Sequence, residues 1–372
     1  MKKIKILQIN KLYHPWIGGI ESAAKAVAEG LAGETDMTVL VCVPKGAGRK
    51  EEIGGVKVIR ASSLGIKFSM PLSLSFPFLV KKYAGKADVV ILHDPFPLGD
   101  LAVLLSGFKG KLILWWHSDI IRQKRLVKLI DPIIKGILKR ADVIFTSSEG
   151  FINGSGYLGE FRDKCRIVPY GIETEKYISA KRTAILTERL TDKGNKKLLF
   201  AGRLVYYKGA GVMLEAFGQI SGAELFIVGT GADEQALRAQ AEAYGGRVHF
   251  MGRLSDEDMR SAFGDCDIFL LPSTRKSEAF GIVQLEAMVY GKPVINTSLD
   301  TSVPFVSIDG ETGFTVKPGD PEELAAAANR LIRDSSLREK MGHNARERVL
   351  RHFDIKNMTD AIKQVCEEIV KE

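Results

Sequence analysis

A chain of 372 residues with 45% hydrophobic and 26% charged side chains has the balance of a folded globular protein, long enough for two domains whose cores need no disulfide or structural metal. A disordered or fibrous chain is excluded. So is a spanning helix in the one long weakly charged stretch, residues 64–80, which contains Lys67, Pro71 and Pro77 and is too short to cross a bilayer comfortably. The net charge of +8 is uneven: residues 1–170 carry 26 Lys and Arg against 15 Asp and Glu, and residues 171–372 carry 27 against 30. One half therefore has an electrostatic task that the other lacks.

In chain order, Met1–Ile9 reads as a strand that runs into polar Asn10, without the longer apolar core and cleavage site of a signal peptide, so a cytosolic location is expected. The pattern predicts further strands over 37–43, 56–60, 89–93, 111–116, 143–147 and 166–169, with helices over 20–32 and 127–140 between some of them. These short apolar runs suit buried parallel strands. A more polar stretch, 171–197, reads as a linker. The rhythm then restarts with strands over 198–202, 224–229, 248–251, 268–272, 293–296 and 313–316. Helices over 212–220, 232–244, 256–263, 282–290 and 321–334 separate them, and a helical tail follows from 335. The economical fold class is α/β, with two Rossmann-like units in tandem: 1–170 and 198–354. Cys42, Cys165, Cys266 and Cys366 lie too far apart for a metal or redox motif and read as core thiols.

Doubly wound sheets bind ligands at the carboxyl ends of their strands, which directs attention to the segments that follow them. Gly229-Thr230-Gly231 has two glycines of a dinucleotide turn but not the third, and there is no P-loop. Gly202-Arg203-Leu204-Val205-Tyr206-Tyr207-Lys208-Gly209 offers a guanidinium and an ammonium on a glycine-flanked loop, suited to a diphosphate; equally, it is a solvated surface loop. Glu278 stands just before the helix predicted from about Gly281, and Glu286 stands on it. Such carboxylates suit sugar and ribose hydroxyls beside a phosphate-binding helix terminus, or else complement the helix dipole and a salt bridge.

Together, Glu278-x7-Glu286, Gly202-Arg203-x4-Lys208-Gly209, Pro15-x2-Gly18-Gly19-x-Glu21 and Pro169-Tyr170-Gly171-Ile172-Glu173 resemble, in order and spacing, the retaining family 4 glycosyltransferases over nearly the whole chain. The resemblance implies a GT-B fold, two facing Rossmann-like domains with a last helix, about 355–372, that crosses back to the N-terminal domain. It also implies a nucleotide-sugar donor and neither metal nor cofactor. Arg203 and Lys208 then correspond to a diphosphate clamp, Glu286 to the ribose ligand and Glu278 to the carboxylate at the donor sugar. Gly281, Ile282 and Val283 correspond to backbone donors, Gly18 and Gly19 to a loop under the diphosphate, and Gly202 and Gly229 to the donor-site loops. His117, in Trp115-Trp116-His117-Ser118-Asp119, matches the family histidine at the catalytic centre, although a lone histidine after a strand is more often structural. His93, Asp94 and Asp119 are the acceptor-side candidates. The family's usual Asn-Gly-Val-Asp is here Tyr170-Gly171-Ile172-Glu173, a departure that weakens any role for the first of these residues.

The expected function is transfer of a hexose, mannose from GDP-mannose as the first choice and a UDP-sugar otherwise, to a lipid-linked or glycan acceptor. The segment 116–124 is similar, more weakly, to mannosyl- and rhamnosyltransferases of bacterial polysaccharide or O-antigen assembly. Alternatives are a GT-B epimerase or phosphorylase, or a nucleic-acid binder suggested by the basic half. No zinc-finger spacing, aromatic RNA-binding signature or basic heptad helix supports the last, so no nucleic-acid partner is expected. The apolar run Phe68, Leu72, Leu74, Phe76, Phe78 and Leu79 next to Lys81 and Lys82, with Arg122, Lys124 and Arg125 further on, suits peripheral docking on an anionic leaflet at the inner face of the cell membrane. The plainer reading makes the apolar residues core.

Overall fold

The computed structural model describes residues 3–16, 18–67, 70–119 and 124–371, without the side chains of 124–129. It divides into two compact units, Met1–Gly171 with Ile355–Glu372, and Ile172–Asp354.

The first unit contains β1 (Lys5–Ile9), β2 (Asp36–Cys42), β3 (Arg49–Ile53), β4 (Val56–Ala61), β5 (Ile66–Lys67), β6 (Met70–Pro71), β7 (Val89–Asp94), β8 (Lys111–Trp116), β9 (Val143–Thr146) and β10 (Cys165–Ile167). Eight of them form one sheet in the order β10-β9-β8-β7-β1-β2-β4-β3, and β5 with β6 makes a separate ribbon. All six residues of β7 are buried, as expected when helices cover both faces of a parallel sheet. The antiparallel edge strand β3, Arg49-Lys50-Glu51-Glu52-Ile53, is polar and largely exposed. It escapes a search for apolar runs because a charged edge discourages pairing with other chains rather than building core.

The C-terminal helix Ile355–Lys371 packs on the helix Gly19–Leu31 of this unit. Gly30 makes the close approach possible: a Cβ there would stand 2.7 Å from Thr359 Cγ2. Lys363 pairs with Glu34 at the edge of the contact.

The second unit contains β11 (Lys196–Ala201), β12 (Ala223–Val228), β13 (Val248–Gly252), β14 (Ile268–Leu270), β15 (Val294–Thr297) and β16 (Gly313–Val316), all parallel, in the order β13-β12-β11-β14-β15-β16. This is the doubly wound order of dinucleotide-binding sheets. Some of its helices start where the sequence supplies caps. Ser255 accepts from Asp258 N ahead of Asp256–Asp265. Asp320, followed by Pro321, accepts from the amides of Glu322 and Glu323 ahead of Pro321–Arg333.

One expectation is corrected here: of residues 171–197, read as linker, Gly171 ends the first unit and 172–197 are part of the second. The Ile172 amide donates to Phe353 O at 2.9 Å. Glu224 of β12, fully buried, accepts from Thr191 N and Oγ1, Asp192 N, Asn195 Nδ2 and His249 Nε2. Burial alone would raise this carboxyl, but the donors hold it down to about 2. The polar composition that suggests a linker is consumed in satisfying one buried charge.

Candidate active site

In both sheets the chain turns to opposite sides from two neighbouring strands, which opens a crevice at their carboxyl ends. In the second unit those neighbours are β11 and β14, so the crevice lies between Gly202–Gly209 and the residues after Leu270. Both loops are held by backbone contacts that admit only glycine. Gly209 has φ +73°, and a Cβ on it would stand 1.9 Å from Pro272 O. Gly229 has φ +130°, and its Cβ would stand 1.9 Å from Gly202 O; a Cβ on Gly231 would stand 2.1 Å from Leu204 O. The two glycines after β12 thus allow this turn to press against the loop after β11.

That close packing brings Lys208 to Glu278. Lys208 Nζ donates to Glu278 Oε2, Ser273 Oγ donates to the same oxygen at 3.0 Å, and both charged side chains are largely buried. Arg203 is exposed and donates from Nη2 to Tyr207 OH at 2.8 Å. One cation is thus paired beneath the surface, and the other is turned to solvent on the same loop. Gly281, at φ +73°, precedes the helix Val283–Met288, which is shorter than the predicted 282–290. Ile282 and Val283 are half-buried at its start. Glu286 on this helix accepts from Tyr177 OH at 2.7 Å. Burial raises its carboxyl, and the tyrosine hydrogen bond pulls it partly back. A cavity of about 570 Å³ lined in part by Tyr206, Gly209, Gln240, Thr274 and Arg275 backs onto the same loop. It includes none of Arg203, Lys208, Glu278 or Glu286, so it is separate from this constellation.

In the first unit the corresponding crevice lies between β1 and β7. His93, at the end of β7, and His117, just after β8, are buried and nearly parallel, with centroids 5.0 Å apart and an 8° interplanar angle. His93 Nδ1 and His117 Nε2 share a hydrogen bond of 2.7 Å, and His117 Nδ1 is bonded to Tyr170 OH. Trp115 stacks against His93, His117 and Tyr170. Burial drives the His93 imidazole down to about 3; burial, then His93 and Lys11, drive His117 well below its ordinary value. Both rings are therefore neutral at physiological pH. Both ring nitrogens of His117 are engaged, by the side chains of His93 and Tyr170.

The remaining residues predicted from sequence fall as follows. Asp94 is buried, with its carboxyl raised by burial to about 6, and the neighbouring Asp100 is raised further by its own burial and the Asp94 charge. Asp119 accepts from Trp116 Nε1, Ser155 Oγ and Gly156 N, so its carboxylate organises the local loop. Gly18 caps the helix Gly19–Leu31 in extended backbone, with the Glu21 carboxylate against it. Of the apolar run, Phe76 is fully buried and belongs to the core, whereas Leu74 and Phe78 are 80% and 76% exposed. Lys81 and Lys82 are exposed near the end of Phe76–Ala84. Phe68 and Arg122, and the side chains of Lys124 and Arg125, lie outside the described residues. Among the described residues no three His, Cys, Asp or Glu side chains form a group fit for a metal, and no helix is long and apolar enough to cross a membrane.

Sequence reasoning passed over Ser273, Tyr177, Lys11 and Asp100, and set Tyr170 aside. Ser273 follows the buried run of β14 and was within reach of the strand-end rule. Tyr177 carried no signal, because its partner Glu286 is 109 residues away.

Comparison with known proteins agrees with this architecture. Residues 17–176 match the model of Glycosyltransferase Family 4, and residues 181–348 match that of Glycosyl transferases group 1. The D-rhamnosyltransferase WbpZ of Pseudomonas aeruginosa is 36% identical over 80% of this chain and 78% of its own length. The O-antigen chain mannosyltransferase C of Escherichia coli is 31% identical over 96% of each. The crystal structure of Anabaena HepE in complex with UDP-glucose superposes with a TM-score of 0.77 over 98% of this chain and all of that one, at 20% identity, a likeness of fold. The chain belongs to the family 4 glycosyltransferases of GT-B architecture.

Proposed function

We propose that this glycosyltransferase moves a hexosyl group from a nucleoside-diphosphate sugar to a lipid-linked or glycan acceptor, with retention of anomeric configuration and without a metal. The observation that carries the reading is the Lys208–Glu278 pair beside Arg203 at the crevice of the second sheet. A departing diphosphate needs its negative charge neutralised as the bond to the anomeric carbon breaks. Lys208 and Arg203 supply two cations for it, with backbone N–H groups at Gly281, Ile282 and Val283 as further donors. Binding the donor exchanges the Lys208–Glu278 contact for two others: Lys208 to phosphate and Glu278 to sugar hydroxyls. Glu286 takes the ribose diol. His117, held neutral by burial, assists as positive charge develops at the anomeric carbon without adding a competing charge. The acceptor hydroxyl attacks on the face the diphosphate leaves, and a phosphate oxygen takes its proton.

The names of the two relatives support mannose, with GDP-mannose as the first choice of donor, and favour nucleotide-linked rhamnose as a second. Incubation with GDP-mannose, UDP-glucose and nucleotide-linked rhamnose, with EDTA present and a polyprenyl-diphosphate-linked glycan as acceptor, tests all parts together. Transfer with an unchanged anomeric configuration by NMR is expected. Release of free nucleotide without transfer would point to an epimerase, and phosphate-dependent release of sugar phosphate to a phosphorylase.

The acceptor is met at the cytosolic face of an anionic membrane. Leu64, Leu74, Phe78 and Leu105 are exposed on the first unit, with Lys81 and Lys82 on the same helix as Phe78. Each lysine near such a surface contributes about 1 kcal/mol. Co-sedimentation with anionic but not neutral liposomes is expected, weaker at high salt. Indifference of the protein to anionic liposomes at low salt would leave a soluble acceptor as the account of the basic half.

A further inference from the structure

Glu286 stands on the helix Val283–Met288, and Tyr177 on the one-turn helix Thr174–Ile178, in the stretch whose composition suggested a linker. The phenol OH donates to Glu286 Oε1 at 2.7 Å. Its ring is held in turn by an edge contact with Tyr290, centroids 6.1 Å apart at 69°, and the Arg182 guanidinium lies 5.4 Å from the Tyr290 ring centre. Tyr290 OH is itself buried without a hydrogen-bond partner among the described residues. The carboxylate is thus anchored by one of two adjacent phenols and not by the other.

We propose that Tyr177 is a positioning residue for nucleotide recognition: by occupying Oε1 it fixes the Glu286 side chain and leaves Oε2 to accept from the ribose hydroxyls of a nucleoside diphosphate. This rests on the donor-site reading above. Two physical consequences follow. A carboxylate locked in one rotamer before binding loses less conformational freedom when the diol arrives. The diol needs an acceptor, so Glu286 must be ionised, and a hydrogen bond to the ionised form favours that form. The charged and titratable groups around the carboxylate are Tyr177 and Lys176 on one helix, Asp256 and Arg260 on Asp256–Asp265, and Tyr290 with Arg182. Burial and Asp256 oppose ionisation, whereas Tyr177 and Lys176 support it. Removing the phenol OH shifts the balance toward the neutral acid, which does not accept the diol as well.

The test is calorimetric titration of the full chain with UDP, GDP and ADP and with their 2′-deoxy counterparts, between pH 5 and 8, for wild type, Tyr177→Phe and Glu286→Gln. For the ribonucleotide that wild type binds, Tyr177→Phe should weaken affinity about fivefold at neutral pH, the net value of one hydrogen bond. Its 2′-deoxy counterpart should lose less, and the pH at which affinity falls off should move upward. Glu286→Gln should weaken the ribonucleotide at least as much and abolish that pH dependence. Should Glu286→Gln weaken binding while Tyr177→Phe leaves affinity and pH profile unchanged, Tyr177 has no positioning role and the donor-site reading stands. Equal losses for ribo- and deoxynucleotides in Tyr177→Phe, with a lower melting temperature and no pH shift, would make Tyr177 merely structural. If Glu286→Gln leaves affinity intact, or none of the three ribonucleotides binds wild type, the donor-site reading fails and this inference with it.

Discussion

The two units place their candidate groups by the same topology and charge them in opposite ways. At the crevice of the second sheet, full charges sit in near-contact: Lys208 on Glu278, with Arg203 free to face solvent beyond Tyr207. At the crevice of the first, two histidines and a tyrosine are stacked, hydrogen-bonded and neutral, and even the nearby Asp94 carboxyl is pushed up by burial. A diphosphate requires permanent cations that tolerate partial burial only because each has a counter-charge or water until the ligand arrives. A developing positive charge is better met by fixed neutral dipoles, since imidazolium rings there would repel it. The contrast matches the two kinds of charge that the proposed reaction develops, a negative diphosphate and a positive anomeric centre.

Four measurements break or sharpen this contrast. The largest effect is expected from Lys208→Ala, which removes a phosphate cation and strands a buried Glu278. Turnover should fall at least about 100-fold, or about 3 kcal/mol of barrier, with Arg203→Ala also losing much of its turnover from a more exposed position. Steady-state kinetics with circular dichroism as a folding control decides it, and near-normal turnover in Lys208→Ala would take the charged site out of the reaction. Next, Gly229→Ala should cost roughly 1–3 kcal/mol of stability, because its Cβ would overlap Gly202 O. Denaturant unfolding reads this, and nucleotide affinity should fall with it as the Gly202–Gly209 loop is pushed aside. An unchanged midpoint would show that the two turns are not in register as described.

The third measurement addresses the neutral site. His117→Ala should lower kcat about tenfold while changing donor affinity little, since its contribution grows as charge develops. A large affinity loss with unchanged kcat would recast it as a binding residue. The last measurement is the pH dependence of stability. A histidine whose folded pKa is depressed stays neutral in the native state while the unfolded chain gains a proton below about 6.5. His93 should therefore make stability decline as pH falls from about 6.5 toward about 3, and His117, also held well below its ordinary value, adds to the decline below about 6.5. Glu224 behaves as a paired carboxylate: its stabilisation is present above about 4.5 and is lost as pH falls toward about 2. Comparing urea midpoints at pH 7, 5.5, 4 and 3 for wild type and Glu224→Gln separates the two, because the decline between pH 7 and 5.5 belongs to the histidines and only the part added below about 4.5 should be missing from the variant. Constant stability of wild type between pH 7 and 5.5 would mean that the histidine pair is charged or solvated.

Much of this molecule was legible before any coordinates. Apolar runs between helical patterns located the parallel strands because burial on both faces leaves so plain a trace in sequence. The strand-end rule and the family resemblance together singled out Arg203, Lys208, Glu278, Glu286 and His117, local motifs whose residues lie close along the chain. The sequence by itself determined the order of the buried parallel strands, the doubly wound pattern and the positions where charge and glycine gather. It did not disclose that Tyr170 would bond His117, that Tyr177 would anchor Glu286, or that Thr191, Asp192 and Asn195 would converge on Glu224. Nor did it separate Phe76 in the core from Phe78 at the surface. Those outcomes join residues tens to more than a hundred positions apart, or turn on which side of a short helix meets its neighbour. A hydrogen bond between distant side chains leaves no periodicity in either segment, and only tertiary packing, which fixes both partners at once, could decide them.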